Sequence, residues 1–226
     1  NNAANIFGYF MRYIFFNDDF HMTDVTAETA VIGVYGSTAQ TQLNQLGVET
    51  ELPRHHWRKG EIGGVSVSVH RADPVQGDGY LLVVSTAEAD QLKAQLETAG
   101  ITPIDQAEFE QMRVASGLPL FGHELTTDYI PLETDLWDDV SFNKGCYIGQ
   151  EIIARMESRG RISKKLVRLE ADGELEMGAE ITADGKKAGT ITSVAGQLAM
   201  GYVKTAALEA ETPLQVNGTI LKIREN

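Results

Sequence analysis

An α+β fold of several modules is what this chain predicts, and three patterns predict it. Strand-like and helix-like periods alternate through the first half, and a glycine-punctuated polar stretch without a clear period follows. Short alternating runs separated by turn dipeptides then fill the end. The 226 residues suffice for two or three modules, and 42% hydrophobic with 23% charged residues is the composition of a packed globular protein.

The elements follow in order. The chain opens on Asn1 rather than Met, which reads as a processed or truncated start. Ile6 to Phe16 is apolar but interrupted by Arg12, too short to cross a bilayer and without the flanks of a signal peptide. A core helix or strand is expected there. Ala30 to Tyr35 reads as a buried strand, and Ser37 as the cap of a helix whose stripe is Ala39, Leu43 and Leu46. Val65, Val67 and Val69 alternate with serines in a half-buried strand over Gly64 to His70. Asp73-Pro74 and Gly77-Asp78-Gly79 make a turn into a strand over Tyr80 to Val84. A helix capped by Thr86 carries Ala89, Leu92, Leu96 and Ala99, and Ile101 to Ile104 reads as a last short strand. The order βαββαβ is ferredoxin-like.

Asp105 and Glu108 have the spacing of a capping box, opening a helix with Phe109, Met112 and Ser116 inward and Gly117-Leu118-Pro119 as its stop. Phe121 to Asp139 reads as loop, and a loop that long is functional or packed by its own side chains. From Ile162 on, Asp172-Gly173, Asp184-Gly185 and Asn217-Gly218 signal turns of a small antiparallel barrel or sandwich.

The chemistry concentrates around the only cysteine. Cys146 lies between Gly145 and Gly149, two residues from Lys144 and just ahead of a helix expected to begin near Gly149. A helix N-terminus and an ammonium both favour thiolate over thiol, so Cys146 reads as a nucleophile, a redox thiol or one ligand of a shared cluster. A small buried hydrophobe is the plainer alternative. His123 is the only histidine placed to approach it, and the sequence shows no Cys–His pair. Downstream, Arg155, Arg159, Arg161, Lys164, Lys165 and Arg168 crowd together with only Glu157 among them. They form either a solvated face or an anion site for a phosphate, a nucleic-acid backbone or a carboxylate-rich ligand.

Other chemistries are excluded or weakly supported. One cysteine makes no internal disulfide, which fits a reducing compartment. A net charge of −13 argues against non-specific nucleic-acid binding by the whole chain. There is no G-x-G-x-x-G, Walker loop or C-x-x-C. His55-His56 lacks a third ligand of matching spacing, so no metal site is expected. Asp18-Asp19 and Asp138-Asp139 are neighbours that point apart, turn residues rather than an acid–base pair.

Lys144-Gly145-Cys146-Tyr147-Ile148-Gly149-Gln150-Glu151 resembles the K-G-C-[aromatic]-x-G-Q-E signature of the YgfZ group, related in fold to the tetrahydrofolate-dependent T-protein of glycine cleavage. Arg113 to Gly122, Ile130-Pro131-Leu132-Glu133, Ala188 to Ser193 and Met200 to Val203 are similar to further stretches of that group. The resemblance implies a multi-module GcvT-like fold around a folate cavity, with a C-terminal antiparallel β-barrel. On that pattern 1–25 would be a remnant of the first folate-binding module, 26–104 the ferredoxin-like module, 105–160 a return to the folate module, and 161–226 the barrel. It further implies a cytoplasmic protein that binds folate, with tetrahydrofolate or a derivative as cofactor. Its partners would be iron–sulfur client or assembly proteins, with indirect effects on tRNA modification and no direct nucleic acid or membrane. An aminomethyltransferase and a cysteine-dependent redox or transfer enzyme are the alternatives.

By position, Glu133 would hydrogen-bond the pterin, Cys146 would be the reactive residue and Lys144 its cationic neighbour. Tyr147, Gln150, Lys164 and Lys165 would complete the folate contacts. Two departures stand out: no counterpart of the family's opening, with its catalytic acid, precedes Asn5, and Lys164-Lys165 replaces an arginine, trading a planar fork for point charges.

Overall fold

The computed structural model describes residues 2–72, 75, 77–160 and 162–224, leaving the side chain of residue 159 aside. It divides into two compact units, Asn1–Pro103 and Ile104–Asn226.

The first unit holds α1 (Ala3–Met11), β1 (Thr29–Gly36), α2 (Ala39–Gln45), β2 (Trp57–Ile62), β3 (Val65–Arg71), β4 (Asp78–Ser85) and α3 (Ala89–Thr98). The four strands form an antiparallel sheet in the order β1-β4-β3-β2. Val65, Val67, Val69, Leu82 and Val84 turn one face of it toward Leu43 of α2 and Leu92 and Leu96 of α3, and all are buried.

The expected βαββαβ order is corrected to βαβββα. Trp57–Ile62 is an additional edge strand that pairs with β3 from Trp57↔His70 to Ile62↔Val65. Arg58, Lys59 and Glu61 hide its period, and charges of this kind are how sheet edges resist further pairing. Ile101 packs on the core, but no strand forms at Ile101 to Ile104; Pro103 has no N–H to give a ladder. Ile6 to Phe16 supplies the helix α1 but no core, since none of its residues is buried and Phe16 is fully exposed. The expected turn at Asp73-Pro74 lies outside the described residues. No helix among the described residues is long and apolar enough to cross a membrane.

The second unit opens with α4 (Gln106–Ser116), in which both bonds of the Asp105–Glu108 capping box form and Gly117 ends the helix at φ 74°. Residues 117–149 are irregular apart from a short 3-10 turn, Pro131–Thr134. Then come α5 (Gln150–Arg159), β5 (Lys164–Ala171), β6 (Glu180–Ala183), β7 (Lys186–Ala195), β8 (Leu198–Lys204), α6 (Thr205–Glu209), β9 (Leu214–Val216) and β10 (Thr219–Arg224). The six strands close into an antiparallel barrel in the order β10-β5-β8-β7-β6-β9, filled by Leu169, Ile181, Ile191, Val203 and Leu214. Two hairpins turn at Asp184-Gly185 and Asn217-Gly218, where all four residues have positive φ as a type I′ turn requires.

Candidate functional site

The long segment between α4 and α5 is held to the barrel by a buried polar network. Arg113 and Glu124 are both fully buried. All five guanidinium N–H groups of Arg113 are used: Nε and Nη2 bond Glu110, Nη1 bonds the Leu118 carbonyl and Glu124, and Nη2 also reaches Ser193. Glu124 Oε1 accepts from Thr192 at 2.6 Å and Ser193 at 2.7 Å, while Oε2 accepts from Arg113 at 3.1 Å and the Leu120 N–H at 3.0 Å. Consecutive strand residues normally point to opposite faces. Thr192 and Ser193 reach one oxygen because β7 shifts register against β8 between Ile191 and Ser193, a bulge. The one Ser193 proton goes to Glu124, so His123 Nδ1, 3.1 Å from Ser193 Oγ, is the donor of that pair.

Tyr202 extends the network. Its hydroxyl donates to the Glu124 carbonyl at 3.0 Å and meets Thr134 Oγ1 at 2.6 Å, and its ring stacks on Tyr129 with centroids 3.5 Å apart. Burial pushes the Tyr202 phenol up to about 12. The folded form thus holds its proton where an unfolded tyrosine loses it near pH 10. The contribution to stability is complete below that value and fades as pH rises toward 12. Melting temperature against pH is expected to fall less steeply over pH 10–12 in Tyr202→Phe than in the wild type; identical slopes would remove Tyr202 as a cause.

Beyond this lock, the 3-10 turn presents Glu133, which is 5% exposed. Ser163 Oγ donates to its Oε1 at 2.8 Å, and Lys164 Nζ stands 3.9 Å from Oε2. Glu133 lines a cavity of about 300 Å³ together with Trp137, Asp135, Lys165, Arg168 and Arg224. The cavity volume is at the lower end for ligand sites, and an indole, a fixed carboxylate and cations are the groups that orient a planar polar ring. The Trp137 ring also packs near parallel to that of Phe142.

The cysteine set lies elsewhere. Gly149, at φ 89°, immediately precedes α5, so the helix begins where expected. Cys146 is a free, exposed thiol and not a packed hydrophobe. Lys144 Nζ sits over the Tyr147 ring at 4.7 Å, and the Gln150 side chain accepts from the Tyr147 N–H at 3.3 Å. Lys144, Tyr147 and Gln150 line a separate cavity of about 220 Å³ with Glu151 and Glu157. The predicted residues therefore fall into two groups, Glu133 with Lys164 and Lys165, and Cys146 with Lys144, Tyr147 and Gln150. Ile148, just ahead of α5, and Ile152 within it are exposed, and Ile153 is buried. The cationic run does not form one patch. Strand alternation separates Lys164 from Lys165, Arg168 donates to the Ala115 carbonyl, and Arg161 and the Arg159 side chain are outside the described residues. No group of three metal-binding side chains occurs among the described residues.

Arg113, Glu124, Tyr202 and Trp137 were not singled out as site residues from the sequence. The available signal was a charged residue on the inward face of α4, eleven positions before an equally buried carboxylate.

Residues 1–144 match the family model of the GCVT N-terminal domain, and residues 164–225 that of the CAF17 C-terminal beta-barrel domain. The chain belongs to the GcvT family. The barrel match places it with the CAF17/YgfZ members. A chloroplastic protein of Arabidopsis thaliana named as a transferase is 29% identical over 204 residues, covering 87% of this chain and 47% of its own length. An aminomethyltransferase of Herpetosiphon aurantiacus is 29% identical over 209 residues, 88% of this chain and 58% of its own. This GcvT-family chain thus spans about half to three fifths of the curated relatives it matches. The crystal structure of glycine cleavage system aminomethyltransferase T from Bartonella henselae superposes with a TM-score of 0.78 at 20% identity, over 100% of this chain and 65% of that one, which shows the fold.

Proposed function

We propose that this GcvT-family chain belongs to a folate-binding accessory protein of iron–sulfur protein maturation, with the pterin seated in the Glu133 cavity. One observation carries the reading: a buried carboxylate, fixed by Ser163, opens on that cavity beside Trp137. An ionised carboxylate has about four acceptor positions. Ser163 occupies one and the Ile130 N–H, at 3.4 Å, a second, which leaves about two for the paired N–H donors of a pterin edge and gives the ring one orientation. Lys165, Arg168 and Arg224 supply positive charge for the acidic end of a folate. The exposed Cys146 would serve a partner protein, which fits a helper of iron–sulfur clients, with tRNA modification affected at second hand. The assignment of 1–25 and 105–160 to one folate module, and a cytoplasmic site of action, belong to the same proposal.

The decisive experiment is a tetrahydrofolate titration of the full-length protein followed by thermal melting. A native-state ligand at about a hundred times its Kd adds about 2.7 kcal/mol, or roughly 5–10 °C at this size. Glu133→Ala is expected to abolish the shift and Cys146→Ala to keep it. No shift in the wild type at saturating folate would end the reading.

The names of relatives favour a second reading, a tetrahydrofolate-dependent aminomethyltransferase. The Lys144 to Glu151 run, which resembles the signature of the YgfZ group, stands against it. Methylene transfer from an aminomethylated carrier protein to tetrahydrofolate, measured on the full-length protein, would reverse the preference.

A further inference from the structure

We propose that the barrel carries a second binding site, a seat for a multiply charged oxyanion formed by Lys164, Lys187 and Lys204. Strand geometry creates it. Lys164 and Lys165 begin β5 and point to opposite sides, so Lys165 lines the Glu133 cavity and Lys164 a different one of about 170 Å³. In the β5–β8 ladder Lys164 lies directly opposite Lys204, and Lys187 enters from β7. Like charges directly opposed across strands are destabilising. In a chain where acids outnumber bases 32 to 19, a cavity lined by three lysines and, among its described residues, by no carboxylate runs against the composition. Departures of this kind from local consistency mark functional positions.

The groups are arranged for a small anion. An ammonium has three N–H donors. Lys164 gives one to the Asp128 carbonyl at 3.0 Å and Lys204 one to the Lys187 carbonyl at 2.8 Å, which fixes both heads and leaves donors over. Two carboxylates outside the lining pair with the set, Glu180 at 3.4 Å from Lys187 and Glu133 at 3.9 Å from Lys164. Tyr129 and Tyr202 form an aromatic wall, with Lys164 Nζ 4.3 Å from the Tyr129 ring centre, and Thr190 adds a hydroxyl to the lining. Burial, with Asp128 and Glu133 nearby, raises the Tyr129 phenol, so this wall carries no negative charge at neutral pH. Lysine heads are compact point charges that suit phosphate or clustered carboxylates without a planar fork. The site adjoins the pterin cavity through Lys164, which pairs with Glu133 at 3.9 Å, but does not rest on the pterin reading, so Lys187 and Lys204 carry its test.

Melting curves of the full chain in phosphate, in glutarate and in chloride at matched ionic strength test it, since matching removes simple screening. Either oxyanion is expected to raise the melting temperature saturably where chloride does not, phosphate indicating a phosphorylated ligand and glutarate a carboxylate-bearing one. Lys204→Gln and Lys187→Gln, both at exposed positions, should each weaken the apparent affinity about tenfold, the effect of one charge-assisted hydrogen bond, and Lys204→Arg should retain most of it. Circular dichroism confirms that the variants fold. Equal curves in all three salts, or affinity unchanged in both glutamine variants, would overturn the proposal.

Discussion

Replacing Arg113 with methionine is expected to destabilise the protein by about 3–5 kcal/mol, the usual result of removing one partner from a buried ion pair. Glu124 would lose its cationic partner with no exposure to water, and Ser193 and the Leu118 carbonyl would lose donors at 2.7 Å. Urea denaturation gives the loss directly, and the melting temperature should fall by roughly 10 °C. Arg113→Lys should recover little, because three N–H groups cannot replace five. Arg113→Met combined with Glu124→Gln should cost less than the two changes added, since neither then strands a charge. A loss below about 1 kcal/mol in the single variant would show that the network is dispensable.

Cys146→Ala is expected to do the opposite, leaving stability within about 0.5 kcal/mol, as exposed substitutions do, and abolishing function. The thiol is exposed, and the hydrogen bonds around it belong to Tyr147 and Gln150. On the maturation reading, the variant should fold and take up folate as the wild type does, yet fail to rescue cells lacking the endogenous activity. Rescue at wild-type level would leave Cys146 no chemical part. Failure accompanied by lost folate binding would instead tie the cysteine loop to the cavity.

Much of the fold was legible in local chemistry. The Asp105–Glu108 box, the Gly117 stop and the Asn217-Gly218 hairpin depend on residues within four positions of one another, and each formed as read. Caps moved by one or two residues: Thr38 precedes α2 in place of Ser37, and Glu88 precedes α3 in place of Thr86, which instead opens a 3-10 turn, Thr86–Glu88, capped by Ser85. What escaped was non-local. The strand Trp57–Ile62 has no alternation of its own and exists because β3 offers it a ladder. Arg113 looks like any surface arginine until Glu124, Ser193 and Leu118 are brought around it. The candidate site was legible in part: motifs named Glu133 and Cys146 as candidates, while Trp137 and the separation of the two groups depend on how 117–149 folds back.

The bulge in β7 has a consequence for which lengths of chain this unit tolerates. A strand usually takes its alignment from its neighbours, but here one carboxylate outside the sheet grips two successive hydroxyls and so fixes the frame of β7 from a distance. Inserting or deleting a single residue between Gly117 and Glu124 would drag that grip along the strand and mis-set the barrel. The same change at Asp184-Gly185 would be absorbed at a free hairpin tip.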